Sequence, residues 1–177
     1  MSDTKHTLVA LLEDKPGVLT RVASLFRRRG FNIQSLAVGH SEQPGLSRMT
    51  VVVNGDSTEV EQVRKQLDKL INVIRVSDIT GEDIVARELA LIKVKATAST
   101  RSEIIQIVDI FRATIVDVSS DSVTVEVTGD EDKVESLIKL LGGFGIKEVT
   151  KTGRVALTRG NTPLKLIKNK ERRNTYG

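Results

Sequence analysis

The sequence predicts an α+β fold of two tandem ferredoxin-like (βαββαβ) domains, the first of which carries the candidate binding loop. Three observations predict it. Four amphipathic helical stripes alternate with short β-rich runs in the order β-α-β-β-α-β, given twice. The first and third stripes align at an offset of 85 and the second and fourth at an offset of 74, so the chain contains one unit twice. Hydrophobic residues make up 39% and charged residues 28% of 177 residues, the balance of a globular chain with a real core.

The elements follow in order. Strand His6–Glu13 leads into a helix with its apolar stripe at Leu19, Val22, Ala23 and Phe26. Pro16 suits the first turn of that helix and Gly30 its stop. Strands Phe31–His40 and Leu46–Asn54 flank the loop Ser41–Gly45. Asp56-x-x-Glu59 has the form of a capping box before Val60, Val63, Leu67 and Leu70. Strand Val73–Thr80 closes the first unit.

The second unit opens with Glu88–Ala96. Thr100-x-x-Glu103 precedes the stripe Ile104, Ile107, Val108 and Phe111. Strands Thr114–Ser119 and Ser122–Thr128 turn tightly at Ser120-Asp121. Thr128-x-x-Glu131 precedes Val134, Leu137, Ile138 and Leu141, and Gly142-Gly143 stops that helix. Asp130-Glu131-Asp132 complements the helix dipole rather than forming a metal site. The last strand is Ile146–Val155. The expected organisation is a domain at 1–80, a second at 81–158 and a tail at 159–177. Units of about 80 residues are small for independent stability, and covering their strand edges favours a homodimer.

The net charge of +4 is unevenly placed. Residues 159–177 hold six basic groups against Glu171 alone, which leaves 21 basic and 22 acidic groups in the rest of the chain. A near-neutral body with a basic tail weakens a nucleic-acid reading for the folded part. With four Phe and one Tyr there is no platform for stacking bases. A nucleic-acid-binding module acting through the tail stands as the alternative.

Zero Cys excludes a disulfide scaffold, a thiolate metal site and a Cys nucleophile. His6 and His40 are isolated, so a His-based metal cluster is not expected. No nucleophile–base pair or carboxylate pair marks a catalytic centre. No apolar run reaches the ~20 residues of a membrane helix, and Met1 to Lys5 lacks a signal-peptide pattern, so the expected location is cytoplasmic, with no membrane partner.

The informative stretch is Glu13-Asp14-Lys15-Pro16-Gly17-Val18-Leu19, which joins the first strand to the first helix. A helix N-terminus offers unpaired amides and a positive dipole end to a carboxylate. Gly17 lets a ligand approach those amides, and Asp14 accepts from an ammonium group. Asn32 supplies donor and acceptor, while Val18, Leu19 and Ile33 supply apolar lining. Together they describe a site for a zwitterion with an apolar side chain. The plainer reading is that Asp14 only caps the helix and Gly17 only relieves a tight turn. In the second unit the loop becomes Ser99-Thr100-Arg101-Ser102: the Pro and Gly are gone, and an Arg fills the approach.

The loop Asp14-Lys15-Pro16-Gly17-Val18-Leu19 resembles the ligand loop of ACT domains, the amino-acid-sensing modules of metabolic enzymes. The stretch from Leu25 to Val38, then Leu46-Ser47-Arg48-Met49-Thr50 and Gln66 to Val73, closely resembles the small, regulatory subunits of acetolactate (acetohydroxyacid) synthase. Arg87 to Val94, Ile110-Phe111-Arg112-Ala113 and Gly153 to Gly160 resemble the C-terminal domain of that family. The resemblance implies a subunit with no catalytic centre and no cofactor of its own. It implies a large catalytic partner that uses thiamine diphosphate, Mg and FAD. It further implies activation of that partner and feedback inhibition by valine, or by leucine or isoleucine, bound between two N-terminal ACT domains of a dimer. The effector contacts it implies are Asp14, Gly17, Val18 and Leu19, with Asn32 and Ile33. Many members carry Asn where this chain has Asp14. Arg48, on a strand, is a candidate contact for the catalytic subunit. A stand-alone ACT-type sensor is the other alternative.

Overall fold

The computed structural model describes residues 4–160. Its elements run β1 (Thr4–Glu13), α1 (Val18–Arg28), β2 (Ile33–His40), β3 (Leu46–Gly55), α2 (Ser57–Leu67) and β4 (Val73–Asp78). The pattern then repeats as β5 (Ile84–Lys95), α3 (Arg101–Ile110), β6 (Thr114–Val118), β7 (Ser122–Gly129), α4 (Glu131–Gly142) and β8 (Ile146–Lys151), followed by β9 (Val155–Thr158). The strand orders are β2-β3-β1-β4 and β6-β7-β5-β8, with β9 also paired to β5. Ladders are antiparallel throughout both orders. These are two ferredoxin-like sheets, as the sequence predicts.

Contacts divide the chain into a unit of Met1–Val85 that takes in the chain again from Ala156, and a unit of Ala86–Val155. Each has its own core. In the first, Leu8, Ala10 and Leu12 of β1 and Met49, Val51 and Val53 of β3 point to one face. That face meets Val22, Leu25 and Phe26 of α1 and Val60, Val63 and Leu67 of α2. In the second, Ala90, Ile92 and Val94 meet Ile104 and Val108 of α3 and Val134, Leu137 and Leu141 of α4. The period-2 and period-3.6 patterns converge on these residues, each large one stabilising by about 1.5–3 kcal/mol on burial.

Several local expectations are corrected. Pro16 does not enter the first helical turn: α1 begins at Val18, and Gly17 caps it at φ 82°, ψ −8°, a left-handed conformation that a glycine adopts without strain. The last helix is capped by Asp130, whose side chain accepts from the Lys133 amide, and not by Thr128. Thr100 stands at the start of α3 but caps no helix amide. Its hydroxyl instead accepts from the Thr97 amide at 3.0 Å, which leaves that capping box unformed. Asp56 does cap α2, accepting from Thr58 and Glu59 amides. β2 starts at Ile33 because the Phe31 amide still closes the end of α1 on the Phe26 carbonyl at 3.1 Å. The final run breaks into β8 and β9 around Gly153, at φ 83°.

Of the basic tail, Arg159 is described, with Nε 3.1 Å from an Asp83 carboxylate oxygen. Residues 161–177 lie outside the described residues. Among the described residues no helix is long and apolar enough to cross a membrane. Among them, too, no cluster of three or more His, Asp or Glu is placed to hold a metal ion.

Candidate functional site

The predicted binding loop leaves the central strand of the first sheet and is fastened on both sides before it enters α1. The Glu13 amide donates to the Asn72 carbonyl at 2.9 Å, and the Asp14 amide to the Gly45 carbonyl at 2.8 Å. The Glu13 carboxylate accepts from Asn72 Nδ2 at 2.7 Å and pairs with Lys15 Nζ at 3.1 Å. Asn72 in turn accepts from Arg21 Nη1 at 2.6 Å, which ties α1 to the end of β1. Pro16 fixes its own φ and Gly17 turns the chain into the helix, where the Arg21 amide closes the first bond on the Gly17 carbonyl at 3.1 Å.

That helix start differs from the others. No side chain caps α1, as none caps α3, but unlike the other three its first turn holds no acidic residue. The first turns of α2, α3 and α4 hold Glu59, Glu103 and the pair Glu131 and Asp132. The positive end of α1 is therefore left uncompensated by side chains of its own, with the amides of Leu19 and Thr20 beyond reach of an intrahelical acceptor. A Cβ built on Gly17 would meet nothing within 4 Å, so the approach to these amides is open. Beside it, Asp14 Oδ2 stands 3.2 Å from His40 Nδ1.

Not all the predicted residues share this end. The Val18 side chain is buried in the core, so only its backbone faces the loop. Leu19 is 43% exposed and offers apolar surface. Ile33 packs against the core with Asn32 exposed beside it, but at the far end of the sheet. Ile33 pairs with Val53 and Val53 with His6, whereas Glu13 pairs with Leu46. Seven residues of β3 separate the two ends, roughly 23 Å at the usual rise. Within one chain, Asp14 and Gly17 are brought together and Asn32 and Ile33 are not.

Arg48 is half-buried, and its Nη2 donates to the Ala156 carbonyl at 3.1 Å. Burial pulls its guanidinium down from the usual range, with the Glu42 carboxylate opposing. At the corresponding loop of the second unit, Arg101 Nη2 donates to the Ser119 and Ser120 carbonyls at 3.0 and 3.1 Å. The side chain that replaces Pro16 thus bolts the start of α3 to the β6–β7 turn, where the first unit leaves an open approach.

Two family models match the chain. One, an acetohydroxyacid synthase small subunit-like ACT domain, covers residues 8–75, and the other, small subunit of acetolactate synthase, covers residues 87–160. The chain belongs to the acetolactate synthase small subunit family.

Relatives agree along nearly the whole length. The chain is 61% identical over 157 residues to a probable acetolactate synthase small subunit of Archaeoglobus fulgidus, across 89% of this chain and 98% of that one. It is 56% identical over 160 residues to the acetolactate synthase small subunit of Mycobacterium bovis, across 90% and 95%. Among solved structures, the acetolactate synthase small subunit of Thermotoga maritima superposes with a TM-score of 0.82 at 44% identity, across 90% of this chain and 99% of that one. In this small subunit, the sequence assigned no contact to Glu13 or His40 and did not single out Arg21 or Asn72. Their roles depend on strand register and on the α2–β4 connection, which no local motif encodes.

Proposed function

We propose that this chain is a non-catalytic, cytoplasmic regulatory subunit. It binds and activates a thiamine-diphosphate-dependent catalytic subunit of acetolactate synthase and confers feedback inhibition by a branched-chain amino acid, valine in the first instance. The observation that carries the reading is the open N-terminus of α1, uncapped and without first-turn acids, beside the Asp14 carboxylate. The effector carboxylate sits on the α1 amides, its ammonium on Asp14, and its apolar side chain toward Leu19.

The remote position of Asn32 and Ile33 supports a dimeric site. β2 is an edge strand of eight residues with no proline and, before His40, no ionisable side chain; Leu36 and Val38 on it are 36% and 44% exposed. Such an edge calls for a partner strand. Two β2 strands pairing antiparallel about a dyad between Leu36 and Ala37 put Ile33 opposite the partner's His40. Asn32 then lies next to the partner's Asp14, and the six effector residues converge across the interface. An effector that prefers one arrangement of the two domains biases the bound synthase through that preference.

Co-purification with the catalytic subunit, followed by acetolactate assays with and without valine, tests the proposal. Complex formation with valine-sensitive activity is the expected result. Calorimetry that shows no heat with valine, leucine or isoleucine, for the dimer alone and with the catalytic subunit, would overturn the effector site.

A further inference from the structure

Helix α1 carries Arg21, Arg27 and Arg28, is capped by Arg29, and contains no acidic residue. Several basic side chains elsewhere meet carboxylates, Arg64 with Glu61, Lys147 with Asp121, Lys151 with Glu135 and Arg154 with Glu131, while Arg48 and Arg101 donate to backbone carbonyls. Among the described residues none of the four α1 arginines meets a carboxylate. Two of them are held by neutral amides, Arg21 by Asn72 Oδ1 at 2.6 Å and Arg29 by Gln66 Oε1 at 3.1 Å. An amide oxygen fixes a guanidinium in place and leaves its charge uncancelled, whereas a carboxylate would fix it and cancel the charge.

Three of these arginines line one groove. Thr20, Arg21, Ser24, Arg27, Arg28 and Leu70 bound a volume of about 650 Å³. Residues 20, 24, 27 and 28 form one helical stripe, and Arg21 and Arg28 lie two turns apart, about 10 Å. The dipole accounts for Arg27 and Arg28 in the last turn, but it opposes Arg21 near the positive end. The groove borders Leu70, on the connection to β4, at the sheet edge opposite β2. It therefore stays open when two β2 strands pair. An open row of guanidinium forks with hydroxyls between them matches a row of protein carboxylates rather than one enclosed small anion.

We propose that this groove docks an acidic segment of the acetolactate synthase catalytic subunit, with its carboxylates on Arg21, Arg27 and Arg28. The proposal rests on the partnership inferred above. With these three arginines set aside the body holds 18 basic and 22 acidic groups, so this local positive patch on an otherwise acidic body orients the encounter.

The test compares full-length wild type with Arg27→Glu/Arg28→Glu and Arg27→Lys/Arg28→Lys in binding to the purified catalytic subunit. Wild-type binding should weaken as salt rises, the Glu pair should bind at least about tenfold more weakly at low salt, and the Lys pair should stay within about threefold. Unchanged valine calorimetry shows that the Glu pair is folded; should it unfold, Arg27→Gln/Arg28→Gln takes its place with the same expected loss. A folded Glu or Gln pair that binds within about twofold of wild type overturns the docking surface and leaves the partnership standing. Wild type that fails to bind the catalytic subunit overturns both. A groove that binds mixed-sequence single-stranded RNA in wild type only, with catalytic-subunit binding intact in the variants, belongs to nucleic acid and sinks the proposal.

Discussion

His40 Nδ1 stands 3.2 Å from Asp14 Oδ2, so the end of β2 is tied to the loop that opens α1. The register causes this. His40 pairs with Ser47, Glu13 pairs with Leu46, and Asp14 is fastened to Gly45, so the hairpin tip and the loop share one end of the sheet.

Asp14→Asn keeps an oxygen for the effector ammonium and removes a negative charge close to its carboxylate. Valine affinity should rise by about two- to tenfold at low ionic strength and the gain should shrink in high salt, as exposed charges are screened. Calorimetric titration at two salt concentrations checks this. Weaker binding by the variant would mean that the ammonium depends on a full carboxylate.

Gly17→Asp should abolish valine inhibition and preserve the dimer. A Cβ at this position meets no atom within 4 Å, and Asp is among the residues that visit left-handed backbone, so the cost in stability is about 1 kcal/mol. The carboxylate it adds occupies the space where the effector carboxylate belongs. Acetolactate assays with valine, paired with sedimentation of the variant, separate the two effects; retained valine sensitivity would refute the placement.

Much of this was legible in the sequence because helix and strand periods repeat in two copies with the same order. The turn into α1 was legible for a different reason: Pro16 and Gly17 interrupt both periods, and Gly17 takes the left-handed conformation that a glycine adopts without strain. Helix entry was less legible. Pro16 suits either a preceding turn or a first helical turn, and Gly17 in left-handed conformation decides for the turn. Thr128 has the spacing of a cap, but α4 begins at Glu131, and Asp130 at that boundary accepts from the Lys133 amide instead. The separation of Asn32 from Asp14 follows from register along β3, which apolar spacing does not report.

Asn72→Ala should loosen the base of the loop. It removes the acceptor of Arg21 and one donor to Glu13 together, so the Arg21 guanidinium loses its hold while the Glu13 carboxylate keeps Lys15. A loss of about 1–2 kcal/mol in denaturant unfolding is expected, with valine affinity reduced severalfold because the α1 amides lose their fixed position. Unfolding curves and calorimetry on the same preparation check both. Full valine affinity with reduced stability would confine Asn72 to folding.

Asp56→Ala should lower the melting temperature at neutral pH and spare valine binding, since Asp56 caps α2 and not α1. Backbone hydrogen bonds from Glu59 and then Thr58 hold its carboxyl below the usual carboxylate range. A depressed folded pKa gives stability that is present in full above the unfolded value, about 4, and is lost as pH falls through the folded value. The gap between wild type and variant should therefore be constant from neutral pH down to about pH 5 and close below about pH 4. Thermal melts across that range decide it. A gap that persists in acid would mean that the Asp56 carboxylate charge is not what stabilises the helix.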